Sequence, residues 1–345
     1  MFPIERKRTQ GSNIIKILIG FYYGIGDFIS AIPVIRHLSR NKEYKVFVAM
    51  GEQNRSLEKL VDLDNVAYLY FPLFSIKKSL EIIRLFLKLK VLDFDEIYLS
   101  PHCQDHLTSW KIPIMLKCLK GLSNRPKIVG AKGDRNAWMY DERIPIDKSL
   151  PLMPREIAFA KLASIIEIKD EVYTNNLFVI AETSKRNEII IHPGAGRPLR
   201  KWSVEHYPEL CTVLLGVDAK LNIRFIGLPK ELEGIKAVVK NQRVLFEDGS
   251  LDEMVRRLCG ARAVITMDSG FSHIAAALGL PHVALFGSAD PEYTRPIGPY
   301  SKIIFKNELE CQPCNAFYCK LRGNECMDLI TTKDVMEKLR ELRVF

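Results

Sequence analysis

Short apolar runs of strand length alternate with helix-length segments along most of the chain, and this alternation constrains the fold more than any other feature. In the first half such runs fall at residues 14–21, 45–50, 66–71, 96–100 and 127–131, separated by helical patterns near 29–38, 52–61, 75–92 and 107–119. The second half repeats the rhythm at 188–192, 221–226, 243–246, 263–266 and 282–286. Parallel strands need a crossover connection, so the pattern implies α/β units whose parallel sheets carry helices on both faces. A length of 345 residues suits two domains at roughly 100–200 residues each. A helical stretch at 155–168 runs into polar segments at 169–176 and 182–187, which mark the boundary. The expected organisation is a doubly wound domain over 1–175, a second over 180–330, and a terminal helix over 331–345 packing back on the first. Ligand sites of such sheets lie beyond the carboxyl ends of the strands, so two in succession can face one cleft.

Composition narrows the partners. Lys and Arg total 50 against 41 Asp and Glu, a net charge of +9 that favours an anionic ligand. Nucleic acid is disfavoured, because no concentrated basic stripe carries interleaved aromatics. A hydrophobic fraction of 47% with 26% charged residues excludes disordered, collagen-like and rod-like chains. The apolar run at 14–21 is broken by Lys16 and Gly20 and falls far short of the ~20 residues that span a bilayer. A soluble, cytoplasmic protein is expected, or one peripheral to the inner face of a membrane.

Three motifs carry chemistry. Gly24-Ile25-Gly26-Asp27 follows the first strand and opens the first helix, where glycines admit a ligand closely and Asp27 takes an N-cap or first-turn position. Asp is a preferred cap, so a purely structural role also accounts for it. Ile29 stands in place of the third glycine of a dinucleotide fingerprint, which disfavours nicotinamide. His192-Pro193-Gly194-Ala195-Gly196 then joins a strand end to three cations, Arg197, Arg200 and Lys201. Backbone amides beside cations suit a diphosphate, whereas a solvated basic loop would not require the small residues. Trp202 reads as a packing residue. Asp268-Ser269-Gly270 with His273 again follows a strand and opens a helix, a second anion site aimed at the same cleft. Here too a plain helix cap accounts for Asp268 and Ser269, and a satisfied core position for His273.

Taken together these residues resemble glycosyltransferase family 9, the heptosyltransferases of lipopolysaccharide core assembly and their relatives. The likeness rests on Gly26-Asp27 with Pro33 and Leu38, and on His192-Pro193-Gly194-Ala195 with Lys201-Trp202. It extends through Asp268-Ser269-Gly270 with His273, Ala276, Gly279 and Pro281 to Leu285-Phe286-Gly287 and Asp290-Pro291. What the resemblance implies is a GT-B architecture of two facing Rossmann-like domains and an inverting transfer that needs no metal or other catalytic cofactor. An ADP-sugar, ADP-heptose in the main line of the family, would be held by the second domain. A glycan or lipid-linked glycan acceptor would be held by the first. By position Asp27 matches the family's general base, Lys201 its phosphate-binding lysine, and Asp268, Ser269, Gly270 and His273 its nucleotide-sugar loop. Gly194 belongs to the donor side, while Gly24, Gly26, Arg197 and Arg200 read as acceptor or diphosphate loops. The family's nucleoside-contacting glutamate corresponds to Glu231, with Glu233 close enough to compete. Another nucleotide sugar, a protein acceptor and a catalytically silent nucleotide-sugar-binding protein stay open as alternatives.

Two features stand outside these motifs. Cys311, Cys314, Cys319 and Cys326 lie on one loop, within 311–326. They form a candidate structural zinc or iron site, or else a set of reduced thiols or a redox-labile disulfide. The segment 75–92 interleaves Lys77, Lys78, Arg84, Lys88 and Lys90 with Ile76, Leu80, Ile83, Leu87 and Leu92. It either covers a sheet with a solvated basic face or docks on anionic lipid.

Overall fold

The computed structural model describes residues 14–22, 24–61, 63–72, 79–101, 111–120, 125–134, 137–166, 177–178, 184–320 and 323–345. The boundary segment 169–176, residues 75–78 of the basic segment and residues 107–110 of an expected helix lie outside them.

The first half contains β1 (Ile15–Tyr22), α1 (Ile25–Arg40), β2 (Tyr44–Gly51), β3 (Val66–Phe71), α2 (Ser79–Leu92), β4 (Glu96–Leu99), α3 (Lys111–Lys120), β5 (Lys127–Ala131), β6 (Glu142–Ile144) and α4 (Leu152–Leu162). The second contains β7 (Glu188–His192), α5 (Tyr207–Val217), β8 (Asn222–Ile226), α6 (Pro229–Val238), β9 (Val244–Glu247), α7 (Leu251–Leu258), β10 (Ala263–Met267), α8 (Gly270–Ala277), β11 (His282–Phe286), α9 (Pro291–Thr294), β12 (Ser301–Phe305), α10 (Glu325–Asp328) and α11 (Thr332–Glu341). The strands form two six-stranded sheets, ordered β3-β2-β1-β4-β5-β6 and β12-β11-β10-β7-β8-β9. All pairings are parallel. Counted from its own first strand, the second sheet repeats the order of the first, so one doubly wound topology occurs twice.

The central strands explain why the pattern was visible in sequence. All residues of β7, β10 and β11 are buried, as covered parallel strands require. The edge strands β6 and β12 escape a search for apolar runs, because β6 is Glu-Arg-Ile and β12 is mostly half-exposed. Residues 52–59 form a 3-10 helix instead of the α-helix expected over 52–61; its buried positions are Asn54 and Leu57, spaced by the three residues of a 3-10 turn.

In both sheets the strand order reverses beside the first strand, between β1 and β4 and between β7 and β10, which is where open α/β sheets leave a crevice. Strand β1 ends in a bulge between Gly20 and Tyr22. Gly20 has φ +114, and a Cβ there would lie 2.5 Å from the Tyr22 ring and 2.8 Å from the Ala49 carbonyl. Only glycine fits that turn of the backbone. Packing joins the halves: one apolar cluster holds Ile17, Ile29 and Ile32 together with Val264, Phe271 and Ile274, and α1 packs on both α4 and α8.

The terminal helix corrects one expectation. Helix α11 packs on β11, β12 and α5 of the second half, and not back on the first. Its buried face, Val335, Met336 and Leu339, completes the second core, while the Arg262 guanidinium donates to the Val344 carbonyl at 2.8 and 2.6 Å. No helix among the described residues is long and apolar enough to cross a membrane. Leu339 is fully buried, so Leu339→Ala is expected to lower unfolding stability by about 2–5 kcal/mol. Urea denaturation measures this, and a negligible loss would mean that α11 is not part of the core.

Candidate active site where two helices begin

The first and third motifs meet through glycines. Gly26 faces α8, and a Cβ on it would lie 2.8 Å from Cδ2 of His273. Gly270 faces α1 in turn, and its Cβ would lie 2.7 Å from Cβ of Ile25. Distances this short are reached only because neither residue has a side chain. Asp27 follows directly. Its Oδ2 accepts the Gly24 N–H at 3.2 Å, a capping contact, and a Cβ on Gly24 would lie 2.6 Å from that oxygen. The capping role allowed by the sequence is therefore present, on a half-buried carboxylate beside α8.

The second motif brings the cations. The Arg200 Nε stands 3.0 Å from Oδ2 of Asp268, off the axis of a hydrogen bond, so the pair is an ionic contact. Burial raises the Asp268 carboxyl to about 6 against the opposing pull of Arg200 and Arg197. Lys201 Nζ lies 3.5 Å from Oε1 of Glu231. The other Glu231 oxygen accepts the Leu228 N–H at 3.0 Å, capping α6, and a Cβ on Gly194 would lie 2.5 Å from it. The fold thus places Glu231 beside Gly194 and Lys201, while Glu233 is exposed. Ser269 is the N-cap of α8, and its buried Oγ has no hydrogen-bond partner among the described residues. His273 lies one turn into α8; burial, with Arg200 nearby, lowers it to about 4, so it is neutral at physiological pH. Trp202 is buried, donating from Nε1 to the Ile330 carbonyl at 3.1 Å.

Two groups of residues escaped the sequence motifs. Arg155 and Glu156 are 2 and 3% exposed on α4. The Ser100 hydroxyl, just after β4, donates to Oε1 of Glu156, and the Arg155 guanidinium sits 3.9 Å over the ring of Tyr293 in α9, linking the halves. Burial pushes Glu156 up to about 8, and the charge of Asp27 adds to the rise. The available signal was an Arg-Glu pair inside a helix that is otherwise apolar up to Lys161 in its last turn. The second group is the cysteine loop, which is tied to the basic loop and to the turn after β11. Arg197 donates to the Asn315 carbonyl at 2.5 Å, Asn324 to the Lys201 carbonyl at 2.7 Å, and Gln312 to the Gly287 carbonyl at 2.8 Å.

Among the described residues no three His, Cys, Asp or Glu are grouped to hold an ion. Cys311 and Cys314 are exposed, Cys319 half-buried and Cys326 buried, all as free thiols. Burial pushes the Cys326 thiol up to about 11, and the neighbouring Cys314, Cys319 and Cys311 add to the rise.

Two tests follow from this geometry. Gly26→Ala puts a methyl into the His273 ring and is expected to cost about 1–3 kcal/mol of stability. Gly196→Ala, with nothing within 4 Å, serves as the control and should be near neutral; equal effects in urea titrations would deny the close contact. Burial holds Glu156 at about 8, well above the ordinary carboxylate range. Its stabilising contribution is therefore full below the unfolded value and lost as pH rises through about 8. The Tm of Glu156→Gln should rise relative to the native chain by several degrees between pH 5 and 9, and a pH-independent difference would contradict the burial of an uncharged carboxyl.

Comparison with known proteins identifies the family. The model of glycosyltransferase family 9 (heptosyltransferase) matches residues 108–324, more than half of the chain. Lipopolysaccharide heptosyltransferase 2 of Escherichia coli K12 is 28% identical over 214 residues. That stretch is 58% of this chain and 58% of the relative, so the match spans less than two thirds of the relative's length. Two solved structures share the fold. One is the E. coli ADP-heptose lipopolysaccharide heptosyltransferase II, with 22% identity and a TM-score of 0.71 over 95% of this chain and 98% of the other. The second is an E. coli heptosyltransferase with ADP, with 19% identity and a TM-score of 0.74 over 95% and 100%. The duplicated parallel sheets are the GT-B architecture, and the chain belongs to glycosyltransferase family 9.

Proposed function

We propose that the chain is an inverting glycosyltransferase that moves a sugar, heptose from ADP-heptose, to a hydroxyl of a lipopolysaccharide-core-like or other lipid-linked glycan. The observation that carries this reading is the meeting of the start of α1, which bears Asp27, with the start of α8, where Arg200 pairs with Asp268. Heptosyltransferase relatives, one of them solved with ADP, support the donor.

In this reading the acceptor hydroxyl attacks the anomeric carbon from the first half while its proton passes to Asp27. A positioned carboxylate base contributes typically 10²–10⁴-fold. The bond from the anomeric carbon to the diphosphate oxygen breaks, and its electron pair leaves with ADP. A single displacement inverts the centre. Charge developing on the leaving group meets Lys201, Arg200, the N-terminus of α8 and the Ser269 hydroxyl, donors already fixed by the fold. Neutral His273 can donate a hydrogen bond without adding charge. These groups do the work of a divalent cation, so the transfer is metal-independent. Glu231 sits where it can meet the nucleoside beside Gly194. On the first half a groove of about 260 Å³, lined by Arg55, Arg84 and Lys88 against Glu52 and Glu81, carries an excess of one cation for anionic groups of the acceptor. A nucleotide-sugar donor places the reaction in the cytoplasm, at the inner membrane face if the acceptor is lipid-linked.

The test is turnover with ADP-heptose and a lipopolysaccharide-core acceptor, in EDTA. Asp27→Asn should lower kcat by at least ~100-fold with ADP affinity retained. Lys201→Ala should weaken ADP binding itself, by about 1.5–3 kcal/mol in calorimetry. Near-normal turnover of the Asp27 variant would leave it a helix cap, and recovery only on adding magnesium would refute metal independence. Failure of any nucleotide sugar to raise the Tm would reject the donor reading.

A further inference from the structure

Helix α2 is apolar on two opposite sides. Leu85 and Leu89 are buried in the cluster that holds Phe47, Phe94 and Leu116 of the first half. Away from it, Leu80, Ile83, Leu87 and Val91 are 71, 53, 53 and 83% exposed. Their spacing of three, four and four residues aligns them in one stripe along the helix. A helix that merely covers a sheet would turn polar residues outward here. At about 100° per residue, Arg84 and Lys88 border the stripe on one side and Lys90 on the other, all exposed. Glu81, the only acid in α2, lies beyond Lys88 on the side away from the stripe. Helix α3 packs beside α2. From it the exposed Lys117 extends its ammonium 5.1 Å over the ring of Trp138, itself 62% exposed, and an exposed indole of this kind is at home among lipid headgroups.

We propose that α2 docks the first half on the surface of an anionic lipid bilayer. The stripe enters the boundary between headgroups and acyl chains, and the flanking cations meet lipid phosphates. A second copy of this chain is a poorer occupant, because a twofold contact along the stripe would bring two sets of rim cations, Arg84, Lys88 and Lys90, together. The inference deepens the transferase reading and rests on it for its purpose: Arg84 and Lys88 also line the groove assigned to the acceptor, so a lipid-linked glycan would reach that groove from the membrane on which α2 lies.

Co-sedimentation of the full chain with vesicles of phosphatidylglycerol and phosphatidylcholine, against phosphatidylcholine alone, tests the docking. Binding is expected only to the anionic vesicles, weakening with salt. The double variant Leu87→Glu with Val91→Glu should lose at least ~20-fold in partitioning, and Lys90→Glu several-fold. All substituted positions are exposed, and circular dichroism with the ADP-induced thermal shift confirms that each variant folds and keeps its donor site. Absence of wild-type binding, equal binding to both lipids, or an unchanged double variant would overturn the proposal. So would a concentration-dependent dimer that the double variant abolishes, since it would assign the stripe to a second copy. Loss of turnover on a water-soluble acceptor would count against the transferase reading alone, as the vesicle assay does not depend on chemistry.

Discussion

Two helices begin at the same place, and they do so because Gly26 and Gly270 lack side chains. Each helix N-terminus carries a partial positive charge, roughly half a unit. Bringing two such ends together beside Arg200 and Lys201 concentrates positive potential that the fold must offset. It does so with Asp27, Asp268 and Glu231, each within reach of one of these donors. The same contact holds the apolar cluster in which the two halves share a core.

The parts that were legible in sequence are those governed by local rules. Buried parallel strands declare themselves as apolar runs, and residues at strand-to-helix junctions are ordered by the turn they must make, so Asp27, Gly194 and Asp268 to Gly270 could be picked out by number. Residues brought in by tertiary packing could not. Glu156 enters only because α4 lies against α1, and nothing near it in sequence refers to Asp27. The terminal helix was assigned to the wrong half for a similar reason: its amphipathic pattern says that one face is buried, but not against what. The four cysteines show the converse. Their spacing resembles a ligand set, yet spacing limits only loop length: Cys326 lies near enough to feel the other three thiols, but among the described residues they are not grouped to hold an ion.

Ionisable groups in this core pull stability in opposite directions. Burial lowers His192 and His282 to about 3 and His273 to about 4, so what each contributes is complete above its ordinary range and lost on acidification. Asp268 and Glu156, held above theirs, contribute most in acid. The two tendencies overlap near neutrality, where the histidines are uncharged and the raised carboxyls are partly protonated.

Two of the three cations of the basic loop already have internal carboxylate partners, Asp268 for Arg200 and Glu231 for Lys201. Capturing an anion here is therefore an exchange reaction and not the filling of an empty positive hole. A lone phosphate that displaces one carboxylate gains little, because it breaks one ion pair to make another in a similar dielectric. A diphosphate spanning both cations makes two new pairs for a single loss of translational freedom. Under the proposed function the carboxylates would thus act as a threshold against small anions, so that the site would discriminate by valency before it reads any sugar or base.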